Sequence, residues 1–331
     1  MKRPLVKSPR VRLRLPEPKD KSGGLYFSSE KDHIQFIRTG CTVLDCVLGG
    51  GWPLGRIVNI VGDKSTGKTL LAMEAIANFF RQYAEGDAWY NEAESAFDTD
   101  YAEALGIPFD RVNYTGDCPT VESLFEHVEQ NVFHPDRDPQ RPGLYIIDSL
   151  DALSDRAEMG RGIDEGSYGA AKAKKLSEFF RRSTQRLKTS NTCLMVISQV
   201  RDAIGVAFGE KHSRSGGKAL DFYVSQALWL AHMKTLKRTV EKVERPYAIT
   251  VKARCKKNKV GLPYRDCEFN IKFGYGIDDI DASLEFLLST GLRYEISKKP
   301  TAEEREALRQ KVIERWYKIE RNFIPTERKY E

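Results

Sequence analysis

Ile57-Val58-Asn59-Ile60-Val61, then Gly62-Asp63-Lys64-Ser65-Thr66-Gly67-Lys68-Thr69, then Leu70-Leu71-Ala72-Met73-Glu74-Ala75 is the stretch that decides the fold. The first run is apolar and β-branched and reads as a buried strand; the last is rich in helix formers. The eight residues between them satisfy G-x-x-x-x-G-K-[ST] without a mismatch. A glycine-rich turn between strand and helix wraps backbone N–H groups around a phosphate at the helix N-terminus. Residues Gly62, Asp63, Lys64, Ser65, Thr66, Gly67 and Leu70 form this cradle. Lys68 neutralises the outer phosphate oxygens and Thr69 offers its hydroxyl to Mg²⁺.

Working outward, short β-rich runs alternate with helical stretches from Ile34 to Phe273, the pattern of βα units and a mostly parallel sheet. Expected strands are 57–61, 89–92, 144–148, 193–198, 226–232, 247–253 and 268–273. The last three have little helix between them and read as an antiparallel extension at one edge. Leu144-Tyr145-Ile146-Ile147-Asp148 is an apolar strand ending in a carboxylate, about eighty residues beyond the phosphate loop, which suits Asp148 to the Mg²⁺ shell. Glu92 and Glu94 both follow the Trp89-Tyr90-Asn91 strand; either could activate water, and spacing does not separate them. Near the end, Thr301 and Glu304 form a capping-box start, with Leu308, Val312, Trp316, Ile319 and Phe323 along one helical face.

Composition excludes several classes. Lys plus Arg total 53 against 47 Asp plus Glu, and residues 1–40 carry the whole +6 excess. The remainder is neutral. No apolar run approaches the roughly 20 residues of a membrane-spanning helix, and no apolar core follows the basic N-terminus as in a secretory signal. The six cysteines form no C-x-x-C pair and do not cluster with the five histidines, so a reducing, cytoplasmic setting without structural zinc is expected. Residues 1–30 contain Pro4, Pro9, Pro16 and Pro18 among charges and read as a mobile basic arm, in which the alternation Val11-Arg12-Leu13-Arg14-Leu15 suits an edge strand on a partner.

Over about residues 39–277 the chain resembles the RecA/UvsX family of DNA recombinases. The resemblance is carried by Gly49-Gly50-Gly51-Trp52-Pro53-Leu54-Gly55-Arg56 before the phosphate loop, by Glu92-Ala93-Glu94-Ser95-Ala96-Phe97-Asp98 with Tyr101, and most specifically by Ser198-Gln199-Val200-Arg201-Asp202-Ala203-Ile204-Gly205-Val206-Ala207-Phe208-Gly209 closed by Ser215-Gly216-Gly217-Lys218. It implies an α/β P-loop NTPase core, mostly parallel with antiparallel edge strands, that binds ATP and Mg²⁺. By this correspondence Glu94 orients the attacking water, Asp98, Tyr101 and Phe273 contact adenine, and Gln199 senses the γ-phosphate. The loop after Gln199 would bind single-stranded DNA through Arg201, Arg214, Gly216, Gly217 and Lys218 with Ile204 and Phe208 as apolar wedges. Arg161 and Tyr168 belong to the position of the family's first DNA loop. Lys256-Lys257-Asn258-Lys259 is similar to the motif whose two lysines, here Lys257 and Lys259, reach a neighbouring subunit's γ-phosphate. Without the resemblance it is a solvated charge run in a connecting turn.

The organisation expected is a basic arm over 1–33, an ATPase and DNA-binding core over 34–277 and a small helical region over 278–331. The expected function is a DNA-dependent ATPase that forms filaments on single-stranded DNA and pairs it with a homologous duplex, with a single-strand-binding or mediator protein as a candidate partner. The alternatives are a RecA-core ATPase of single-strand annealing or recombination mediation and, behind it, a ring-shaped helicase-type motor. Lys64, Lys218 and Asp221 depart from the residues usual in bacterial members, the N-terminal polymerisation helix is not recognisable and there is no long acidic tail. These departures point to a phage-type relative working in the bacterial cytosol.

Overall fold

Strand β1 (Phe36–Ile37) pairs antiparallel with β2 (Trp52–Pro53), with helix α1 (Thr42–Leu48) between them. Then follow β3 (Ile57–Gly62), α2 (Lys68–Gln82), β4 (Asp87–Glu92), α3 (Thr99–Ala104), β5 (Val112–Thr115), α4 (Val121–Asn131) and β6 (Gly143–Asp148). Beyond α5 (Arg156–Met159) and α6 (Gly169–Thr189) come β7 (Thr192–Asp202), β8 (His212–Arg214) and α7 (Gly217–Tyr223). The long strands β9 (Gln226–Val240) and β10 (Val243–Asn258) lead to β11 (Arg265–Lys272), β12 (Gly276–Ile277), α8 (Asp279–Ser289) and α9 (Ala302–Glu320). This computed structural model describes residues 34–94, 99–160, 169–202, 212–214 and 217–325.

One sheet organises the core, in the order β12-β11-β10-β9-β3-β7-β6-β4-β5, with β8 pairing onto β7. From β9 to β5 neighbours run parallel; β10, β11 and β12 form the antiparallel extension. All seven expected strands are present. Strand β3 lies in the interior of the sheet and is buried along its whole length, because both its faces are covered. Its Val58 and Ile60 pack with α1 and α2, while Ile57 joins Tyr145, Leu194 and the α6 residues Leu176 and Phe180 on the other face.

Two features differ from expectation. β9 and β10 run well past residues 232 and 247, pairing with each other to the turn at Glu241-Lys242. The α9 capping box is as expected: the Thr301 side chain accepts from Glu304 N–H, and Glu304 accepts from Thr301 N–H at 2.8 Å. Its buried face, however, is Leu308, Val312, Ile313, Trp316 and Tyr317. Phe323 lies beyond the helix end and is exposed, so it is not part of that face, and Ile319 is only partly buried. These α9 residues join the same apolar cluster as α1 and α2. Buried Arg309 fastens the helix by donating to Asp45 at 3.0 Å. Among the described residues no helix is long and apolar enough to cross a membrane.

Candidate nucleotide site

Parallel strands that end together leave their following loops side by side, and β3, β4, β6 and β7 do so here. The loop after β3 turns through Gly67 at φ +86°, where a Cβ would also collide with the Ile271 side chain. Gly67 supplies no side-chain cap to α2, so the first N–H groups of that helix face the loop, as an anion requires. Lys68 folds back onto the Asp63 carbonyl at 2.8 Å. Its pKa is lowered by burial, against the pull of Asp148, Glu94, Asp63 and Asp151. A bound phosphate would add negative charge beside this half-buried ammonium.

Asp148 ends β6 at 7 % exposure, and among the described residues neutral hydroxyl groups donate to its side chain. The Thr69 hydroxyl donates to its Oδ2 at 2.8 Å and the Tyr90 phenol to the same oxygen at 2.7 Å. Burial raises its pKa; those two hydrogen bonds pull it down, and Glu94 and Glu92 add to the rise. A buried carboxylate beside a threonine hydroxyl, facing more acid than base, is the oxygen-donor chemistry of a hard divalent cation. The sequence pair Thr69 and Asp148 is therefore brought together.

Glu92 and Glu94 separate cleanly. Glu92 is 6 % exposed, its Oε1 accepting from Glu94 N–H at 2.9 Å and its Oε2 from the Tyr114 hydroxyl at 3.3 Å. It props the strand end. Glu94 is exposed at the mouth, with its Oε1 accepting from the Ser149 hydroxyl and from Gln199 Nε2 at 3.0 Å. Gln199 is itself held by Asp151, whose Oδ2 accepts from Gln199 N–H at 2.8 Å. Ser149, Asp151, Tyr90 and Tyr114 are supporting residues that the sequence reading missed. The only signal for the first two was their place just past a strand-end aspartate.

On the base side, Tyr101 packs partly buried against the core from α3, and Phe273 is 53 % exposed in the β11–β12 turn. The two elements meet where Leu105 approaches Gly276. Asp98, Arg161, Tyr168, Ile204, Phe208 and Gly216 lie outside the described residues. Arg201, Arg214, Gly217 and Lys218 are described as backbone alone: Arg201 pairs within the β7–β8 ladder opposite Ser213, Arg214 opposite Val200, and Gly217 and Lys218 open α7.

Lys257 and Lys259 sit elsewhere. Both donate to α7 carbonyls, Lys257 to Asp221 and to Phe222 (3.1 Å) and Lys259 to Phe222 (3.3 Å). Lys257 is level with Ala227, which faces Asn59; Lys259 N–H bonds Ser225, whose own N–H bonds Ile57. Lys259 is therefore level with the start of β3 and Lys257 with its third residue, and both side chains reach the carbonyls at the end of α7. The phosphate loop leaves the other end of β3, roughly 10 Å along the strand from Asn59 and roughly 17 Å from Ile57.

Comparison with known proteins gives the family. The family model described as "RecA N-terminal domain" matches residues 23–278. Protein RecA of Synechococcus sp. (strain CC9311) is 36 % identical over 259 residues, 78 % of this chain and 64 % of that protein. Protein RecA of Prochlorococcus marinus (strain NATL1A) is 34 % identical over 264 residues, 80 % of this chain and 67 % of the relative. Protein RecA of Leifsonia xyli subsp. xyli (strain CTCB07) is 36 % identical over 276 residues, 83 % and 72 % of the two chains. The chain thus spans just under two thirds of the length of the first of these relatives.

Proposed function

The chain belongs to the RecA family, and on that premise we propose that it is an ATP-dependent DNA recombinase, binding ATP and Mg²⁺ at the β3–α2 loop and single-stranded DNA through the loops beyond β7 and α5. The observation that carries this reading is the placement of Gln199. Its amide holds Glu94 at the mouth of the phosphate site, and its strand leads straight into the segment 201–218 that the family resemblance assigns to DNA. A change at the phosphate end thus has a covalent route to the DNA end.

The roles in this reading are those that the resemblance assigns and the geometry supports. Backbone N–H groups of the loop and Lys68 hold the β- and γ-phosphates. Thr69 and Asp148 would hold Mg²⁺, which neutralises phosphate charge when bound. Glu94, fixed through Oε1 by Ser149 and Gln199, orients water with its second oxygen. Tyr101 and Phe273, with Asp98, take the adenine. Lys257 and Lys259, remote from their own chain's loop, complete the site of a neighbour, so that each interface in a filament holds one ATP.

The test is hydrolysis with and without single-stranded DNA, followed by electron microscopy with a non-hydrolysable ATP analogue and by pairing with a homologous duplex. Stimulated hydrolysis, filaments that lengthen with the DNA, and ATP-dependent joint molecules are expected. Annealing of complementary single strands without invasion, or closed particles of fixed subunit number, would overturn the recombinase reading and leave the ATPase standing.

A further inference from the structure

Helix α2 begins at the phosphate loop, and its buried residues include Leu70, Leu71, Met73, Ile76, Phe79 and Phe80. Glu74 interrupts this apolar series. It lies six residues beyond Lys68, roughly 9 Å along the helix, and is partly buried. Burial pushes its carboxyl up, against the hydrogen bond from Ile277 and the charge of Arg81, and Asp279 adds to the rise. A carboxylate in such a place costs desolvation free energy that an apolar side chain would avoid, unless its oxygens meet a donor that needs them.

That donor stands at the edge of the sheet. β12 is the last strand, bonded on one side to β11. Asp278 N–H turns inward to the Asn270 carbonyl at 2.9 Å, so Ile277 N–H, one residue earlier, turns outward. It donates to Glu74 Oε1 at 3.1 Å. A Cβ on Gly276 would collide with the same oxygen, and one on Gly40 with Oε2, so bare backbone lines both sides of the carboxylate. Directly opposite Ile277 in the ladder is Ile271, whose side chain lies against Gly67 of the phosphate loop. Two contacts therefore tie the β11–β12 hairpin to the phosphate loop and to its helix.

The turn of that hairpin is Phe273-Gly274-Tyr275, and Phe273 belongs to the base side of the proposed site. Leu105, just past the helix α3 that carries Tyr101, also approaches Gly276. Both halves of the base wall thus converge beside one carboxylate on the phosphate helix. Lys272 pairs with Asp278 and with Asp281 (3.5 Å), but these contacts lie within β11 and the start of α8. They fix the shape of the turn, not its distance from α2. We infer that Glu74 is a positioning residue for the nucleotide: through Ile277 N–H it sets the place of Phe273 relative to the phosphate loop, and so the span between phosphates and adenine. This role rests on the proposed function, to which it adds the residue that fixes how far the base lies from the phosphates.

The experiment titrates the full chain with Mg²⁺ in a calorimeter, once with a non-hydrolysable ATP analogue and once with inorganic tripolyphosphate, which has the phosphates and no base. Glu74→Met keeps the length and removes the acceptor. It should weaken binding of the analogue about tenfold, the cost of leaving one buried N–H unpaired, and leave tripolyphosphate at the parent affinity. Glu74→Asp should behave in the same way, because the charge stays but the reach is short. Glu74→Gln should bind both as the parent does, since its amide oxygen still accepts from Ile277 N–H. In hydrolysis, Glu74→Met and Glu74→Asp should raise KM with kcat unchanged, the mark of lost uniform binding. Parent affinity for tripolyphosphate shows in the same titration that each variant is folded.

Coupling to Phe273 completes the test. In a Phe273→Ala background, Glu74→Met should add little further loss, because the residue it positions is gone. Full additivity of the two losses would overturn the role of Glu74. So would parent affinity for the analogue in Glu74→Met and Glu74→Asp, equal weakening of analogue and tripolyphosphate, or a Glu74→Gln chain as weak as Glu74→Met. Loss of the base-site reading is registered separately, as a parent chain that binds the analogue no more tightly than tripolyphosphate, and it would take the role of Glu74 with it.

Discussion

The two ends of strand β3 are built on opposite principles. At its C-terminal end the phosphate loop, Asp148, Glu94 and Gln199 converge from four neighbouring strands, and the carboxylates are bound by hydroxyl and amide donors of the same chain. At its N-terminal end Lys257 and Lys259 rest on backbone carbonyls at the end of α7, a short helix whose dipole favours cations there. The first end has an excess of acid around one half-buried lysine; the second offers cations to neutral acceptors that a phosphate would readily displace. On the proposed function each chain would carry a socket at one end and a plug at the other. On the same reading such a molecule would repeat head to tail, by a heterologous contact that builds an open series unless the rotation closes it into a ring.

The comparison is broken most severely at the socket. Lys68→Ala should lower hydrolysis by at least about 10²–10³-fold, the scale of losing one preorganised charge donor. Melting temperature should hold, since the Lys68 side chain makes its hydrogen bond to one carbonyl and fills no core. Parent-level turnover in a folded variant would remove the phosphate assignment.

Next comes the separation of the two glutamates. Glu94→Gln should hydrolyse ATP about 10²-fold or more slowly while binding it as before, so that its DNA complexes persist. Glu92→Gln should lose less, because an amide oxygen still accepts from Glu94 N–H. A reversed order, measured by single-turnover hydrolysis and nucleotide binding, would exchange the two roles.

Much of the socket could be read before the structure because it is contiguous. One unbroken run places Gly62 to Thr69 between strand and helix, Asp148 ends an apolar strand, and Gln199 opens the run to Gly209 that carries the family resemblance. What could not be read depends on geometry past a strand end. Alternation assigns faces only inside a strand, and Glu94 lies two residues beyond β4, so nothing local told its direction from that of Glu92. The position of the lysines follows from a register linking Lys257 to Ala227 to Asn59, residues far apart in sequence. The β9–β10 hairpin was cut short in the reading for two reasons. Charged residues after His232 hide a strand that is exposed on both faces, and Pro246, beside a register shift before Ala248, imitates a strand boundary.

The smallest expected signal, and the one that decides between the two principles, comes from the plug. Lys257→Ala/Lys259→Ala leaves Lys68, Thr69 and Asp148 untouched, so nucleotide binding by the isolated chain should be retained while hydrolysis falls. Mixed with Lys68→Ala subunits, which have intact lysines but a dead socket, the double variant should recover hydrolysis that neither shows alone. Activity appears only where a Lys68-intact subunit faces a neighbour with intact lysines, so random mixing at equal amounts restores about a quarter of the sites. Raising the share of Lys68→Ala subunits should increase turnover per double-variant subunit, because more of its neighbours then carry the plug. If Lys257 and Lys259 served their own chain's site, across the roughly 10 to 17 Å of strand that separates them from it, no ratio of the two variants would restore turnover. A flat response over the whole titration, with both variants shown to co-assemble, would therefore make the lysines a local structural clamp on α7 and return the socket to a site complete within one chain.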